Sequence, residues 1–83
     1  MSEKPKLYGA DWCPKTSGFR NYLQSEWVDF EFLDIEKDDK AMEEVKAMNG
    51  GQVKFPMVVV GDDKMKNPPI EKLRESLKRN KLV

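Results

Sequence analysis

The chain has no histidine, one cysteine and no net charge. Each shortage excludes something. Without histidine the commonest zinc ligand is missing, and no metal is expected. A single cysteine, Cys13, rules out an internal disulfide and fits a reducing compartment, so the expected location is the cytoplasm. Fifteen Lys and Arg offset fifteen Asp and Glu, which leaves no cation surplus to displace counterions from a phosphate backbone. Nucleic acid is therefore not an expected partner. No run approaches the roughly 20 apolar residues that a membrane span needs. The opening Met1-Ser2-Glu3-Lys4-Pro5-Lys6 has no apolar stretch after its charges, so neither a membrane partner nor a secretory leader is expected.

What is present suits one small folded unit. Of 83 residues, 39% are hydrophobic, enough for a single domain spanning 1–83 around one core. At about this length only some 60% of the unfolded surface is buried, so the stability margin is thin. The 36% charged content is high, yet the apolar residues recur with the periods of strands and helices, which excludes a disordered tract.

Lys6–Ala10 reads as a short buried strand. Phe19, Tyr22, Leu23 and Glu26 follow at helical spacing, and Pro14 fits the first turn, where its missing N–H costs nothing. Val28–Ile35 alternates apolar and acidic residues as a second strand. Asp38 or Asp39 caps a second helix with Ala41, Met42, Val45 and Met48 on one face, and Asn49-Gly50-Gly51 stops it. Met57–Val60 is a third strand, which Gly61-Asp62-Asp63 turns into a fourth around Lys64–Lys66. Asn67 reads as a cap and Pro68-Pro69 as first-turn prolines of a last helix, with Ile70, Leu73 and Leu77 on its core face. The predicted order is β-α-β-α-β-β-α, an open four-stranded mixed sheet flanked by helices in the α/β class.

Chemistry has one obvious seat. Cys13 stands where the first strand hands over to the first helix. Unpaired first-turn amides and the positive end of the helix dipole favour a thiolate there, and the thiol pKa can fall from about 8.5 to between roughly 3.5 and 7.5. Lys15 adds to that field, Asp11 opposes it, and Trp12 supplies an apolar wall. A lone cysteine also occurs as a small buried hydrophobe. Pro56, directly before the third strand, is the second feature: alone it reads as an ordinary strand-opening proline, and paired with a helix-opening cysteine it is informative.

Over its full length the chain resembles the glutaredoxin family on the thioredoxin fold, through Trp12-Cys13-Pro14-Lys15-Thr16, Phe55-Pro56 before a valine-rich strand, and the final hairpin and helix. Short, mycoredoxin-like members resemble it again at Asn49-Gly50-Gly51 and Lys66-Asn67-Pro68. The resemblance implies thiol–disulfide exchange through Cys13, with Trp12, Pro14, Lys15, Thr16 and Pro56 in support. It implies a cis Pro56 beside the thiol, and Phe55 offering backbone groups to a bound thiol. Asn67 and Ile70, at the start of the last helix, would hold that ligand's carboxylate. Glutathione or another low-molecular-weight thiol is the implied co-substrate, with no permanently bound cofactor; disulfide-bearing proteins are the implied partners, and a monomer is expected. The chain departs from the family pattern at several points. Thr16 stands where a second cysteine is usual, so a monothiol mechanism is expected. Lys54-Phe55-Pro56 replaces Thr-Val-Pro. Pro68-Pro69 replaces Gly-Gly, and no basic residue shortly precedes Cys13.

Other patterns fail. One residue too many separates Cys13 from Arg20 for the phosphate loop of small phosphatases. Asp34, Glu36 and Asp38 alternate like a calcium loop, but Asp39 and Val45 occupy its glycine and glutamate positions. Lys72, Arg74, Lys78, Arg79 and Lys81 complement the dipole of the last helix. Two readings stay open beside the redox one: an iron–sulfur carrier in which two subunits share a cluster, and a non-catalytic binding module.

Overall fold

The computed structural model describes residues 4–82. Strands β1 (Lys6–Gly9), β2 (Glu31–Asp34), β3 (Met57–Val60) and β4 (Asp63–Lys66) alternate with helices α1 (Pro14–Ser25), α2 (Asp39–Met48) and α3 (Ile70–Arg79) in the predicted order. The sheet runs β2-β1-β3-β4. β1 pairs parallel to β2 across the α1 crossover, whereas β3 is antiparallel to both β1 and β4. This mixed sheet with three helices is the thioredoxin-like architecture.

Alternation along the strands divides the core. Leu7, Val58, Val60 and Met65 face α1 and α3 and pack with Phe19, Leu23, Leu73 and Leu77. Tyr8 and Met57 point to the opposite face, where Ile35, Ala41 and Val45 cover them. Burying one such aliphatic side chain contributes about 1.5–3 kcal/mol. Polar contacts fix the helices on these faces. The Asp38 carboxylate caps α2, accepting from the amides of Lys40 at 3.0 Å and Ala41 at 3.3 Å. Ser76, fully buried on α3, donates to Asp63 at the start of β4 over 2.6 Å. The Tyr8 hydroxyl donates to Glu44 over 3.2 Å; burial, then the Glu44 charge, pushes that phenol up to about 12.

Three local expectations are corrected. The second strand is shorter than Val28–Ile35, because the Val28 amide closes the end of α1 by donating to the Leu23 carbonyl. Asn67 does not cap α3: it adopts a left-handed φ of 43° and Pro69 precedes the first helical residue. Ile70 is 41% exposed and leaves the core face to Leu73, Ser76 and Leu77, because it heads the helix beyond the sheet.

Candidate functional site

Cys13 is the N-cap of α1, in extended conformation, with Pro14 as the first helical residue. Its amide donates to the Ala10 carbonyl at 3.0 Å, which turns the chain sharply from β1 into the helix. The residue is 9% exposed, at the boundary between core and solvent. As a neutral thiol its side chain makes no capping hydrogen bond. Ionisation changes that balance. Burial pushes the thiol up, but the Thr16 amide and hydroxyl, the Lys15 amide and the Lys15 charge favour the thiolate, and together they hold it below the ordinary cysteine value.

The orientation of the Thr16 hydroxyl follows from its surroundings. Thr16 is fully buried, and its Oγ1 accepts the Ala10 amide hydrogen at 3.4 Å. With that lone pair engaged, the hydroxyl hydrogen is left to donate toward sulfur. Thr16 fits only because residue 9 is glycine: a Cβ there would lie 2.6 Å from Thr16 Cγ2 and 3.0 Å from its Cβ. Replacing Thr16 with valine removes the donor and strands the Ala10 amide. Alkylation of Cys13 at neutral pH should slow by roughly tenfold, the scale of one charge-assisted hydrogen bond, with stability lowered by about 1–3 kcal/mol. Thr16→Ser should keep both near wild type. A Thr16→Val protein alkylated at the wild-type rate would remove the hydroxyl from this account.

Asp11 does not oppose the thiolate as its sequence position suggests. Lys37 at 2.8 Å and Arg20 at 3.6 Å take its carboxylate, and the Lys37 contact holds it below the usual carboxylate range. Trp12 is 65% exposed and anchored at two points. Its indole N–H donates to Glu36 over 2.7 Å, and its ring meets Phe55 edge-on with centroids 5.9 Å apart. The acidic alternation that resembled a calcium loop is thus divided among other tasks: Asp34 pairs with Lys37, Glu36 holds Trp12, and Asp38 caps α2. Among the described residues no His, Cys, Asp and Glu cluster could hold a metal.

The Phe55–Pro56 peptide bond is cis and Pro56 is buried. Its carbonyl accepts the Asn67 amide hydrogen at 2.8 Å, which ties the loop before β3 to the turn before α3. A groove of about 380 Å³ opens beside that turn, lined by Lys15, Gly18, Phe19, Tyr22, Asn67 and Ile70. Of the residues singled out from sequence, Lys15, Asn67 and Ile70 therefore share one groove, while Trp12 and Phe55 form a separate aromatic pair. Cys13 does not line the groove; Lys15 connects the two, reaching into one and adding its charge to the other. A second groove, of about 290 Å³, opens on the α2 side between Lys6, Tyr8, Glu44 and Lys64, and Cys13 does not line it. Sequence reasoning missed Glu36, Lys37 and the Ala10 amide, whose roles depend on contacts across elements.

The chain that builds this site is similar to known proteins in sequence and in fold. The glutaredoxin family model matches residues 6–65. Among solved structures, a glutaredoxin from Archaeoglobus fulgidus is 31% identical, with a TM-score of 0.79 over 90% of this chain and 86% of its own. The thioredoxin-like protein BC3987 is 26% identical, with a TM-score of 0.79 over 89% of this chain and all (100%) of its own. The glutaredoxin-like NrdH-redoxin from Escherichia coli, described as having a thioredoxin-like activity profile, shares the fold at 20% identity, with a TM-score of 0.72 over 87% of this chain and 93% of its own. No protein of curated function matches. No helix among the described residues is long and apolar enough to cross a membrane. The chain belongs to the glutaredoxin family of thiol–disulfide redox proteins.

Proposed function

We propose that the chain, acting as one domain, reduces mixed disulfides between proteins and a small thiol by a monothiol route through Cys13. One observation carries the reading: at the N-cap of α1 the sulfur faces the Lys15 and Thr16 amides and the Thr16 hydroxyl, which lower its pKa. The Cys13 thiolate attacks the small-thiol sulfur of the mixed disulfide. A bond forms between the Cys13 sulfur and the small-thiol sulfur, the sulfur–sulfur bond of the mixed disulfide breaks, and the protein thiolate leaves and takes up a proton. A second small-thiol molecule, as thiolate, attacks the same small-thiol sulfur. It departs as the disulfide of two small thiols and returns Cys13 as thiolate. In sum one disulfide is exchanged for another: the protein's sulfur is reduced to its thiol, and the one incoming small thiol is oxidised into the departing disulfide. Thr16 cannot resolve the intermediate, so the second step is intermolecular. A pKa near ambient pH gives the best compromise between thiolate fraction and nucleophilicity.

In this reading the Phe55 backbone and the groove between Lys15, Asn67 and Ile70 receive the small thiol, and glutathione or a similar carboxylate-bearing thiol suits the first turn of α3. The test is to react reduced protein with a glutathionylated protein in the absence of free thiol. One equivalent of glutathione should appear on Cys13 by mass spectrometry, and free glutathione should release it. Transfer to another residue, or no transfer, would contradict the proposal.

A further inference from the structure

Three lysines from three separate segments flank the site: Lys15 in the first turn of α1, Lys54 in the loop before Pro56, and Lys66 at the end of β4. None of the three ion-pairs with an acidic side chain among the described residues, a state they share with most of the chain's cations; what sets them apart is their place around the thiol and the Pro56 loop. Lys66 stands opposite Met57, the residue after Pro56, and its neighbour Asn67 is bonded to the Pro56 carbonyl. The chain path therefore holds Lys66 against the loop that carries Lys54. The Lys66 amine, a like charge, holds Lys54 below the usual lysine value.

Nearby acids are engaged elsewhere. Asp11 is taken by Lys37 and Arg20, and Glu36 by the Trp12 indole. The surface near these lysines is apolar and open: besides Trp12 and Ile70, Val53 is 43% exposed. Exposed cations around an exposed apolar floor describe a docking face for a chain with the opposite charge.

We propose that this face selects an acidic protein segment: carboxylates flanking the partner's disulfide-bearing cysteine are seated between Lys54 and Lys66, with Lys15 taking another on the far side of Cys13. A carboxylate between Lys54 and Lys66 gains attraction to both and relieves their mutual repulsion. The spread over three segments, with apolar side chains exposed beside them, suits a length of polypeptide rather than a single small anion. The inference rests on Cys13 as the exchanging thiol and adds which partner it favours.

Two peptides of equal length test it, each carrying its cysteine as a mixed disulfide with the uncharged thiol 2-mercaptoethanol, one flanked by aspartates and one by lysines. Wild-type protein should react about fivefold to tenfold faster with the acidic peptide at low salt. That ratio should shrink toward one as ionic strength rises. Lys54→Glu/Lys66→Glu should invert it, and Lys54→Gln/Lys66→Gln should bring it close to one should the charge-reversed chain fail to fold. A wild-type ratio of one or below, or a ratio that both variants leave intact, would overturn the proposal. Binding of Cys→Ser versions of the peptides to the Cys13→Ser protein separates this from the redox reading. Acidic preference in binding without exchange in the wild type removes the redox reading alone; exchange without preference removes the docking face alone.

Discussion

Cys13→Ser should fold, bind and fail to turn over. The substitution exchanges sulfur for oxygen at a site 9% exposed, so packing changes little. The serine hydroxyl stays protonated where the thiol ionises, and no other cysteine exists to take its place. Reduction of a glutathionylated protein should fall by roughly 10³-fold or more, to the uncatalysed background. The same variant carries a second signature. The thiol pKa is depressed in the folded chain relative to the ordinary cysteine value. Stabilisation from the folded thiolate is therefore fully present above that ordinary value and disappears as pH falls through the depressed one. Wild type should gain stability over Cys13→Ser as pH rises through this window, read as a diverging denaturation midpoint. Retained turnover, or parallel pH profiles, would contradict the assignment.

The second large effect lies one layer deeper. Gly9→Ala places a methyl group 2.6 Å from Thr16 Cγ2 and 3.0 Å from Thr16 Cβ. Thr16 has no room to give: it is buried, β-branched and fixed in the first turn of α1. Overpacking of this kind costs about 1–3 kcal/mol. In a domain of this size each kcal/mol lowers the melting temperature by about 4–8 °C, so a fall of roughly 4–24 °C is expected. Reactivity should fall as well, because displacing Thr16 weakens its contacts with both the Ala10 amide and the thiolate. Gly9→Ala/Thr16→Ala separates the causes. The added methyl then occupies space the threonine vacates, so the double variant should be less destabilised than the sum of the singles, while reactivity stays low. Additive losses would show that the two residues do not share one packing constraint.

This coupling marks how far the sequence could be read. Element order, the parallel first crossover and the terminal hairpin follow from local periodicity: Met57–Val60 and the stripe of Ala41, Met42, Val45 and Met48 are readable without a partner. The one expected core, by contrast, is divided between the two faces of the sheet. Gly50, at a φ of 63°, announced the end of α2. The ends of α1 and α3 were less legible. They close with the same hydrogen-bond pattern, Val28 to Leu23 and Leu82 to Leu77, but place Trp27 and Lys81 in the left-handed position, with φ values of 59° and 58°. Trp27 is also 93% exposed, so neither chemistry nor burial flagged it.

At the site, residues adjacent in sequence were found and residues adjacent only in space were not. Cys13, Pro14, Lys15 and Thr16 are consecutive, and helix geometry alone arranges them. Asp11 was given a role opposing the thiolate because its partners, Arg20 and Lys37, lie on α1 and in the loop after β2. Arg20 also stacks on Phe32, with its guanidinium carbon 4.5 Å from the ring centroid, a contact visible only once β2 is placed beneath α1. Ile70 was assigned to the core by helical spacing, a rule that does not know where the sheet ends.

The account depends on the protonation state of one sulfur. Ultraviolet titration of the thiolate, in wild type and with Cys13→Ser as the blank, measures it directly. The sulfur should ionise at a pH clearly below that of an unstructured peptide spanning Asp11–Ser17, with the difference lost on denaturation. Ionisation at the same pH in the folded chain and the peptide would contradict the claim that the first turn of α1 stabilises the thiolate.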